Sequence, residues 1–500
     1  CAPTGSGKTM VARFAVELAL THATTCVYTA PIKALSNQKY REMAGVYGED
    51  QVGLMTGDIT INRGAPIIVM TTEVLRNLIF ARDPFAASLG YVVLDEVHYL
   101  ADESRGPVWE EILLELPEQT RVVSLSATVA NAEEFHAWLE SIRGTTRLVE
   151  TSERPVPLIQ HLARGKRIIP LFDGAAESEI TTKRELTQQA ESILAGRLPE
   201  RVGPRQRAQI LDQMGERDML PAIHFIYSRK GCEMAVRDLD REHVILTTRE
   251  ERAAIHRALD PLREELTDDD ARALHFRSFE RALSRGYAAH HAGVYPALKE
   301  IIERLMQEGH LKLVYATGTL ALGINMPVRT TVVESLRRFN GTDFTDLTRI
   351  EYTQLIGRAG RRGRDSVGHA IVLACEETAS IGHTATGELE PLVSAFFPSY
   401  NTALNVLTTY DYASARALLA RSFAQYQANR DLAELEIKRD KIRREILAQE
   451  ERLEEACDRG SLPEYLRVRL ASGRAASRAR KKARAAYRQK VADSFFEPRG

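Results

Sequence analysis

Short apolar segments alternate with longer amphipathic stretches over the first 150 residues. Four β-rich segments predict strands, at 26–29, 67–71, 91–94 and 122–125. Helical spacing of apolar residues follows several of them, as at 34–44 and 73–81. Strand and helix in alternation at this pace are typical of a parallel sheet with helices on both faces.

The alternation resumes in the middle of the chain and predicts a second α/β unit. Its strands are expected at 222–227, 287–289, 311–316, 331–333 and 370–374. Residues 164–220 are polar and mixed with few strand signals, and 241–285 are highly charged and helical in pattern. We interpret both segments as insertions or linkers.

Beyond about residue 380 the strand signals fade and helical patterns prevail. Residues 383–430 are mostly helical in pattern. An approximate heptad follows at Leu432, Leu435, Ile442, Ile446 and Leu453. It predicts a long helix over 431–456 that packs against a partner.

Composition excludes several classes of protein. The chain has 500 residues, of which 44% are hydrophobic and 27% charged, which is ordinary for globular domains. Its longest apolar runs are far below the roughly 18 residues that a membrane span needs. The net charge is −1, so binding to a polyanion requires local basic surface. Five scattered cysteines argue against a disulfide framework or a Cys-rich zinc site and fit a reducing, cytoplasmic setting.

A glycine-rich motif at the start of the chain predicts a phosphate site. The motif consists of Ala2, Pro3, Thr4, Gly5, Ser6, Gly7, Lys8 and Thr9, with Ala2 in place of the usual first glycine. Backbone N–H groups of such a P-loop cradle phosphates, Lys8 reaches the β- and γ-phosphates, and the Thr9 hydroxyl ligates Mg²⁺. The alternative is a chance glycine-rich turn. Because the strand that feeds a P-loop would precede Cys1, we expect the chain to be a fragment without its N-terminus.

An acidic motif, Asp95-Glu96-Val97-His98, follows the predicted strand at 91–94. A carboxylate at the end of a buried strand is costly unless it meets a cation, so Asp95 fits a second, water-mediated Mg²⁺ partner. Glu96 fits the base that orients and deprotonates an attacking water. The alternative is a strand that runs out into a polar turn.

Ten motifs in a fixed order resemble those of superfamily 2 helicases, and closely those of the Ski-type (superkiller) DExH-box RNA helicases. They lie at 2–9, 31–39, 56–58, 71–75, 95–98, 126–128, 226–231, 290–293, 316–327 and 354–363. The resemblance covers about residues 1–430. It implies two tandem RecA-like domains at 1–152 and 153–382, the second with insertions at about 165–220 and 241–285. A winged-helix region at 383–430 and the start of a helical stalk at 431–500 would follow.

The resemblance also implies an activity. The family uses ATP and Mg²⁺ to move 3′ to 5′ on single-stranded RNA, in RNA processing or decay, so an RNA-degrading complex is an expected partner. The family's C-terminal ratchet domain and the glutamine-bearing element upstream of the P-loop are not recognised in this sequence, which we expect to be truncated at both ends.

Gln354, Arg358 and Arg361 have the spacing of one helix face. Two guanidinium groups on one helix face suit contact with a triphosphate that is bound by the P-loop on the other side of a cleft. An arginine in this position, called an arginine finger, accelerates hydrolysis about 10³–10⁵-fold. The alternative is a basic surface helix, which would not need Gly357, Gly360 and Gly363.

Four residues are candidates for coupling the two units. Ser126 and Thr128 follow a predicted strand and either link the acidic motif to the other unit or simply end the strand. The resemblance assigns a bridging role to His98 and places Gly323 in the same group.

Candidate nucleic-acid contacts lie where loops lead into helices. Pro31, Lys33, Ser36, Thr71 and Thr72 occupy such junctions in the first unit, and Thr317 and Thr319 mirror them in the second. Helix N-termini with hydroxyl donors suit a phosphate backbone, which makes binding largely independent of base sequence.

Asn340-Gly341 predicts a tight hairpin turn, with Phe339 near its tip. In the family a hairpin at this place wedges the duplex apart, whereas the alternative is an ordinary surface hairpin. The basic segment 467–490 either binds nucleic acid or, as we favour, pairs with 431–456.

Three functions remain open from the sequence. The first is an RNA helicase, the second is a repair-type DNA helicase with nearly the same motifs, and the third is an ATP-regulated clamp or scaffold that recruits a nuclease. The particular residues of the acidic motif and the stalk-like helix favour RNA over DNA as the substrate. Lys8, Glu96, Arg358 and Arg361 are all present, which argues against an inactive ATPase.

Overall fold

The computed structural model describes residues 1–458, apart from 104, 175–176, 180–184, 322–325, 327, 340–342 and 387–388. The chain divides into two compact units, Cys1–Ala415 and Arg416–Gly500. Within the described residues, no helix combines the length and apolarity needed to cross a bilayer.

A six-stranded sheet organises the N-terminal part of the first unit. Its strands are β1 (Thr25–Ala30), β2 (Val52–Met55), β3 (Thr60–Ile61), β4 (Ile67–Thr71), β5 (Leu89–Leu94) and β6 (Arg121–Ser124). Their order is β3-β2-β4-β1-β5-β6, and every pair is parallel except β2 and β3. The four strands predicted for this region are thereby confirmed as β1, β4, β5 and β6.

In the described part of the chain, six helices accompany this sheet: α1 (Lys8–Thr21), α2 (Lys33–Tyr47), α3 (Thr72–Phe80), α4 (Pro84–Ala87), α5 (Gly106–Glu115) and α6 (Ala132–Arg143). A 3-10 helix, Val97–Ala101, follows β5 directly. The central strands are buried on both faces, as parallel strands between helix layers must be. We call residues 1–143 the first lobe.

A second sheet of eight strands organises residues 153–386, which we call the second lobe. Its strands are β7 (Glu153–Arg164), β8 (Arg167–Pro170), β9 (Glu177–Glu179), β10 (Ala222–Phe225), β11 (Tyr287–His290), β12 (Leu313–Ala316), β13 (Thr330–Val333) and β16 (Gly368–Leu373), while β14 (Arg337–Phe339) and β15 (Phe344–Asp346) form a separate hairpin. The order is β11-β12-β10-β13-β16-β7-β8, and β9 pairs with β7. Five of these strands match predicted ones.

Among the residues that the structure describes, nine helices belong to the second lobe: α7 (Gln188–Ala195), α8 (Pro204–Glu216), α9 (Arg229–Arg241), α10 (Arg249–Glu265), α11 (Asp268–Ala273), α12 (Phe276–Ser284), α13 (Pro296–Glu308), α14 (Arg349–Ile356) and α15 (Ile381–Thr386). The charged segment 241–285 contains three of them, and Ile255 and Leu259 of α10 are buried in the main core of this lobe.

Strand β7 is absent from the sequence-based prediction, and β8 lies in a segment that we interpreted as an insertion with few strand signals. Two prolines and several charges obscure the strand pattern of β7. Its parallel pairing with β16 and antiparallel pairing with β8 nevertheless place Leu158 and Leu162 in the core. The start of the 165–220 segment is therefore part of the sheet.

Helices continue after α15, with α16 (Tyr400–Thr409), α17 (Tyr412–Leu419) and α18 (Phe423–Asp458). In the part of 383–430 that the structure describes, no residue is in a strand, so the winged-helix assignment stays a prediction. Helix α18 spans the predicted long helix at 431–456. The basic segment 467–490 lies outside the described residues.

Candidate active site

A cavity of about 740 Å³ lies between the two lobes. Residues of the two predicted ATP motifs form much of its first-lobe wall: Thr4, Gly5, Gly7, Lys8, Thr9, Asp95 and Glu96. The second lobe contributes mainly the loop after α14: Gly357, Arg358, Ala359, Gly360, Arg361, Arg362 and Arg364. The strand ends and loops that the sequence singled out therefore meet at one cavity.

The P-loop turns into α1 through two glycines with left-handed backbone. Gly5 has φ +86° and Gly7, the N-cap of α1, has φ +96°, which residues with a side chain rarely adopt. The Lys8 ammonium is folded back into this loop, where Nζ donates to the carbonyl oxygens of Ala2 at 2.7 Å and Pro3 at 3.1 Å. Burial lowers the pKa of Lys8, although the carboxylates of Glu96 and Asp95 oppose this shift.

Asp95 and Glu96 follow β5 and have different surroundings. Asp95 is buried and accepts hydrogen bonds from the Tyr28 hydroxyl and, at 2.9 Å, from the backbone N–H of Glu96. Burial and the neighbouring charge of Glu96 raise the pKa of Asp95 to about 6. Glu96 has φ +53°, a left-handed conformation that costs energy in a residue with a side chain, and it lines the cavity.

The oxygen ligands around Thr9 fit a magnesium ion. The Thr9 hydroxyl and the Asp95 carboxylate line the same cavity, and oxygen atoms of this kind are what Mg²⁺ prefers. The ammonium of Lys39 lies 3.2 Å from the Thr9 hydroxyl and 2.9 Å from Glu42, so this corner already accommodates a positive charge. Sequence reasoning missed the roles of Lys39 and Glu42, because only the burial of Lys39, 7% exposed, distinguishes them from other charged residues on α2.

The predicted single helix through Gln354, Arg358 and Arg361 is wrong. Helix α14 ends at Ile356, and only Gln354 lies on it. The chain then leaves the helix because Gly360, at φ +90°, donates its N–H to the carbonyl of Val328 at 2.7 Å. Arg358 and Arg361 nevertheless both line the cavity.

The glycines of this loop allow the lobes to approach closely. A Cβ atom on Gly357 would lie 3.0 Å from the Cβ of Thr4 in the P-loop, and one on Gly7 would lie 3.3 Å from the guanidinium of Arg362. A side chain at Gly357 would therefore press against Thr4 of the P-loop, so the glycine allows this close approach.

Arg361 is held by a buried carboxylate. Its Nε and Nη2 each donate to Asp365 at 2.8 Å, and Arg329 Nε donates to the same carboxylate at 3.0 Å. Burial alone would raise the pKa of Asp365, but the hydrogen bonds from Arg361 and Arg329 lower it to about 2. Arg358 has a different setting, because burial lowers its pKa while Glu96, Tyr99 and Asp95 oppose the shift.

His98 connects three of the motifs. Its Nε2 lies 2.6 Å from the side-chain amide of Gln354 in the other lobe, and its Nδ1 accepts from the N–H of Ala127 at 3.4 Å. Burial lowers the pKa of His98 to about 4, so the ring is neutral at pH 7.

Ser126 and Thr128 are buried on either side of Ala127. The carbonyl of Ser126 accepts the N–H of Ala2 at 3.1 Å, which joins this motif to the P-loop. The fourth coupling candidate, Gly323, lies outside the described residues.

Several predicted nucleic-acid contacts lie away from the cavity at the starts of α2 and α3. The Ser36 and Thr72 side chains are fully buried, and their hydroxyls donate to backbone carbonyls of Ile32 and Ala30 at 3.3 Å each. Thr71 is the N-cap of α3. Because these two hydroxyls are directed to carbonyls inside the protein, a phosphate at Ser36 or Thr72 would meet backbone there.

The remaining nucleic-acid candidates have varied positions. The carbonyl of Pro31 accepts from Arg105 at 2.9 Å, and Lys33 forms an exposed ion pair with Asp58 at 2.9 Å. Thr317 follows β12, and its backbone N–H donates to His290 at 3.4 Å. The side chain of Thr319 lies outside the described part of the structure.

The hairpin at 337–346 is present as an antiparallel pair. Arg337 pairs with Asp346 and Phe339 with Phe344, and Phe344 is 60% exposed. The turn at Asn340-Gly341 and the side chain of Phe339 lie outside the described residues. An ion pair of 2.6 Å between Arg338 and Glu351 joins the hairpin to α14.

Comparisons with known proteins agree with this architecture. The family model of the DEAD/DEAH box helicases matches residues 1–135. The chain is 48% identical to the probable helicase HelY of Mycobacterium tuberculosis over 453 residues, which cover 87% of the chain and 50% of the relative. It is 36% identical to the human superkiller complex protein 2 over 86% of the chain and 36% of the relative, and 37% identical to the human exosome RNA helicase MTR4 over 85% and 42%.

The chain thus spans half the length, or less, of the curated relatives it matches. The matches run through both lobes, whose α/β sheets fit RecA-like domains. The motifs, the two-lobed fold and these matches together establish that the chain is a homologue of the Ski-type DExH-box helicases.

Proposed function

We propose that this protein is an ATP-dependent RNA helicase that moves 3′ to 5′ on single-stranded RNA and separates duplexes. One observation carries the proposal: the P-loop and acidic motif of the first lobe face Arg358 and Arg361 of the second across one cavity. A nucleotide in this cavity would contact both lobes, so its hydrolysis would change how they are held together.

The residues of the cavity can divide the work of hydrolysis. The P-loop N–H groups and Lys8 bind the β- and γ-phosphates. Thr9 and Asp95 would hold Mg²⁺, which would neutralise phosphate charge. Glu96 orients the attacking water and accepts its proton. Arg358 and Arg361 stabilise the charge that develops on the transferred phosphoryl group.

Lobe closure and chemistry are joined through neutral His98. It contacts Gln354 of the second lobe and lies 3.5 Å from the Glu96 carboxylate. The position of His98 therefore depends on the second lobe, and Glu96, the proposed base, lies next to it. Ser126 and Thr128 extend this connection towards the P-loop.

The names of the relatives support an RNA substrate and a role in RNA processing or decay. Two of them are called a superkiller complex protein and an exosome RNA helicase. We infer an RNA-degrading complex as a partner of this protein and a cytoplasmic location. A winged-helix region at 383–430 and a stalk that begins at 431 remain part of this proposal.

The decisive experiment compares substrates. ATP turnover of the purified protein is measured with single-stranded RNA and DNA, and unwinding is measured on RNA, DNA and hybrid duplexes with 3′ or 5′ tails. We expect RNA-stimulated turnover and unwinding only from 3′ tails. Unwinding of DNA alone would show a repair-type DNA helicase, and turnover without any unwinding would show an ATP-regulated clamp.

A further inference from the structure

An extended segment after α15 contacts elements that carry three of the motifs. We call residues 390–395, Glu390-Pro-Leu-Val-Ser-Ala395, the strap. The backbone N–H and C=O of Leu392 bond to the amide of Asn131, at 2.6 and 3.0 Å, three residues after Thr128. The N–H of Ala395 donates to Leu100, in the 3-10 helix that contains His98, at 3.3 Å.

The strap is fixed to the first lobe by buried hydrogen bonds. The Ser394 hydroxyl donates to the carboxylate of Glu110, and farther along the chain the Thr402 hydroxyl donates to Glu111. Both glutamates lie on α5 and are buried, at 0% and 4% exposure. A buried carboxylate that lost its donor would be costly, so these bonds resist displacement of the strap.

Glu390 connects the strap to the second lobe. Its Oε1 accepts the backbone N–H of Arg349 at 2.7 Å, and its Oε2 accepts that of Ile350 at 3.2 Å. These are the first two residues of α14, whose N–H groups have no partner within the helix. A carboxylate at this end also interacts favourably with the helix dipole.

Helix α14 is short, and Gln354 lies one turn after the residues that Glu390 binds. A shift of the helix start therefore moves Gln354 relative to His98. We infer that Glu390 is a positioning residue for ATP hydrolysis: fixed to the first lobe by the strap, it holds α14 and so places Gln354 against His98. The inference rests on the proposed function, and Glu390 itself does not line the cavity.

The first test measures RNA-stimulated ATP turnover of the purified protein. Glu390→Ala should lower kcat about tenfold, which corresponds to about 1.4 kcal/mol in the barrier, and change KM for ATP less than about twofold. KM is spared because the P-loop contacts do not involve the strap. The kcat of Glu390→Gln should lie between those of the parent and of Glu390→Ala, because the amide keeps one acceptor oxygen where the carboxylate has two. Glu376→Gln makes the same chemical change at an exposed site and should match the parent.

The second test asks whether Glu390 acts through Gln354. If it does, the double variant Glu390→Ala/Gln354→Ala turns over no more slowly than Gln354→Ala alone. Losses that multiply would overturn the inference, as would an unchanged kcat in Glu390→Ala. A fall in kcat that merely matches a lower folded fraction, measured by thermal unfolding, would overturn it as well.

The two proposals fail differently. A parent protein without RNA-stimulated ATP turnover would contradict the proposed function. Normal turnover in the parent together with an unchanged Glu390→Ala variant would contradict only the role of Glu390.

Discussion

Glu96 and Lys8 have separable tasks at the residue scale. Glu96 lines the cavity from a left-handed turn, and Lys8 lies inside the P-loop. We expect Glu96→Gln to keep ATP binding and to abolish nearly all turnover, because the amide cannot accept a proton from water. Lys8→Ala should weaken binding itself, because the β- and γ-phosphates lose their cation.

Both effects are measured by nucleotide titration and by RNA-stimulated phosphate release. Glu140→Gln, at an exposed position on α6 outside the cavity and outside the motifs, is the control. Near-normal turnover in Glu96→Gln would show that Glu96 is not the base.

Asp365 gives the second lobe a predictable pH dependence. Its pKa is about 2 in the folded protein, against 3.8 for an ordinary aspartate. Because the folded value is the lower one, ionised Asp365 stabilises the fold above about pH 4, and this contribution is lost as the pH falls from about 4 to 2. The difference in free energy of unfolding between the parent and Asp365→Asn should therefore be largest at neutral pH and shrink below pH 4.

Urea titrations followed by circular dichroism at several pH values measure this difference. Asp346→Asn, at an exposed position on β15, should differ little from the parent at any pH. A difference between the parent and Asp365→Asn that grows as the pH falls would contradict the role of the Arg361–Asp365–Arg329 cluster.

At the scale of elements, the hairpin β14–β15 is the candidate for strand separation. Phe344 is exposed on it, and Arg338 joins it to α14. An aromatic face at a fork can stack on the last base pair for about 1–3 kcal/mol, comparable to the roughly 1.4 kcal/mol of one stacked step. We expect replacement of 338–342 by a Gly-Gly turn to slow unwinding strongly and to spare RNA-stimulated ATP turnover.

The paired measurement is ATP turnover on single strands and unwinding of a 3′-tailed duplex. The substitution Arg338→Gln, which breaks the ion pair to Glu351 but keeps the turn, separates the two contributions of the hairpin. Equal unwinding by the shortened variant and the parent would make the hairpin ordinary surface structure.

The sequence predicted elements well where local signals were strong. The strands β4 and β5 and the middle of β1 are largely apolar, and the glycines of the P-loop fix its turn. The sequence-based prediction failed where contacts between distant segments determine the secondary structure. The pairing of β7 with β16 overrides two prolines, and the bond from Gly360 to Val328 ends α14 before Arg358, although the spacing of Gln354, Arg358 and Arg361 fits a longer helix.

The same distinction holds for the site. Lys8, Asp95 and Glu96 were predictable because the motifs carry them. Lys39, Glu42 and Asp365 were not, because charged residues on a helix or in a loop show no sign in sequence that they will be buried against a cavity residue.

At the scale of the whole molecule, the lobes also meet away from the cavity. Arg41 on α2 and Glu300 on α13 form an ion pair of 2.9 Å, with each side chain about half exposed. If turnover requires the lobes to separate and close, a covalent link here should block it. We expect Arg41→Cys/Glu300→Cys treated with a short bismaleimide to lose most RNA-stimulated ATP turnover.

Both substitutions are made in a Cys1→Ser/Cys457→Ser background, because Cys1 is only half-buried, whereas Cys26, Cys232 and Cys375 are buried. Each single-cysteine variant with the same reagent is the control. Cross-linked protein that turns over ATP at the rate of the parent would show that the lobes need not move apart at this contact.

The strap has a further consequence for the connection of the lobes. The chain passes from the first lobe to the second between α6 and β7, and residues 390–395 bring it back to bond with Asn131 and Leu100. Two crossings at separate points define an axis, so the lobes can rotate about it more easily than they can slide or twist. A protease cut at 144–152 would accordingly leave both halves of the ATP site associated.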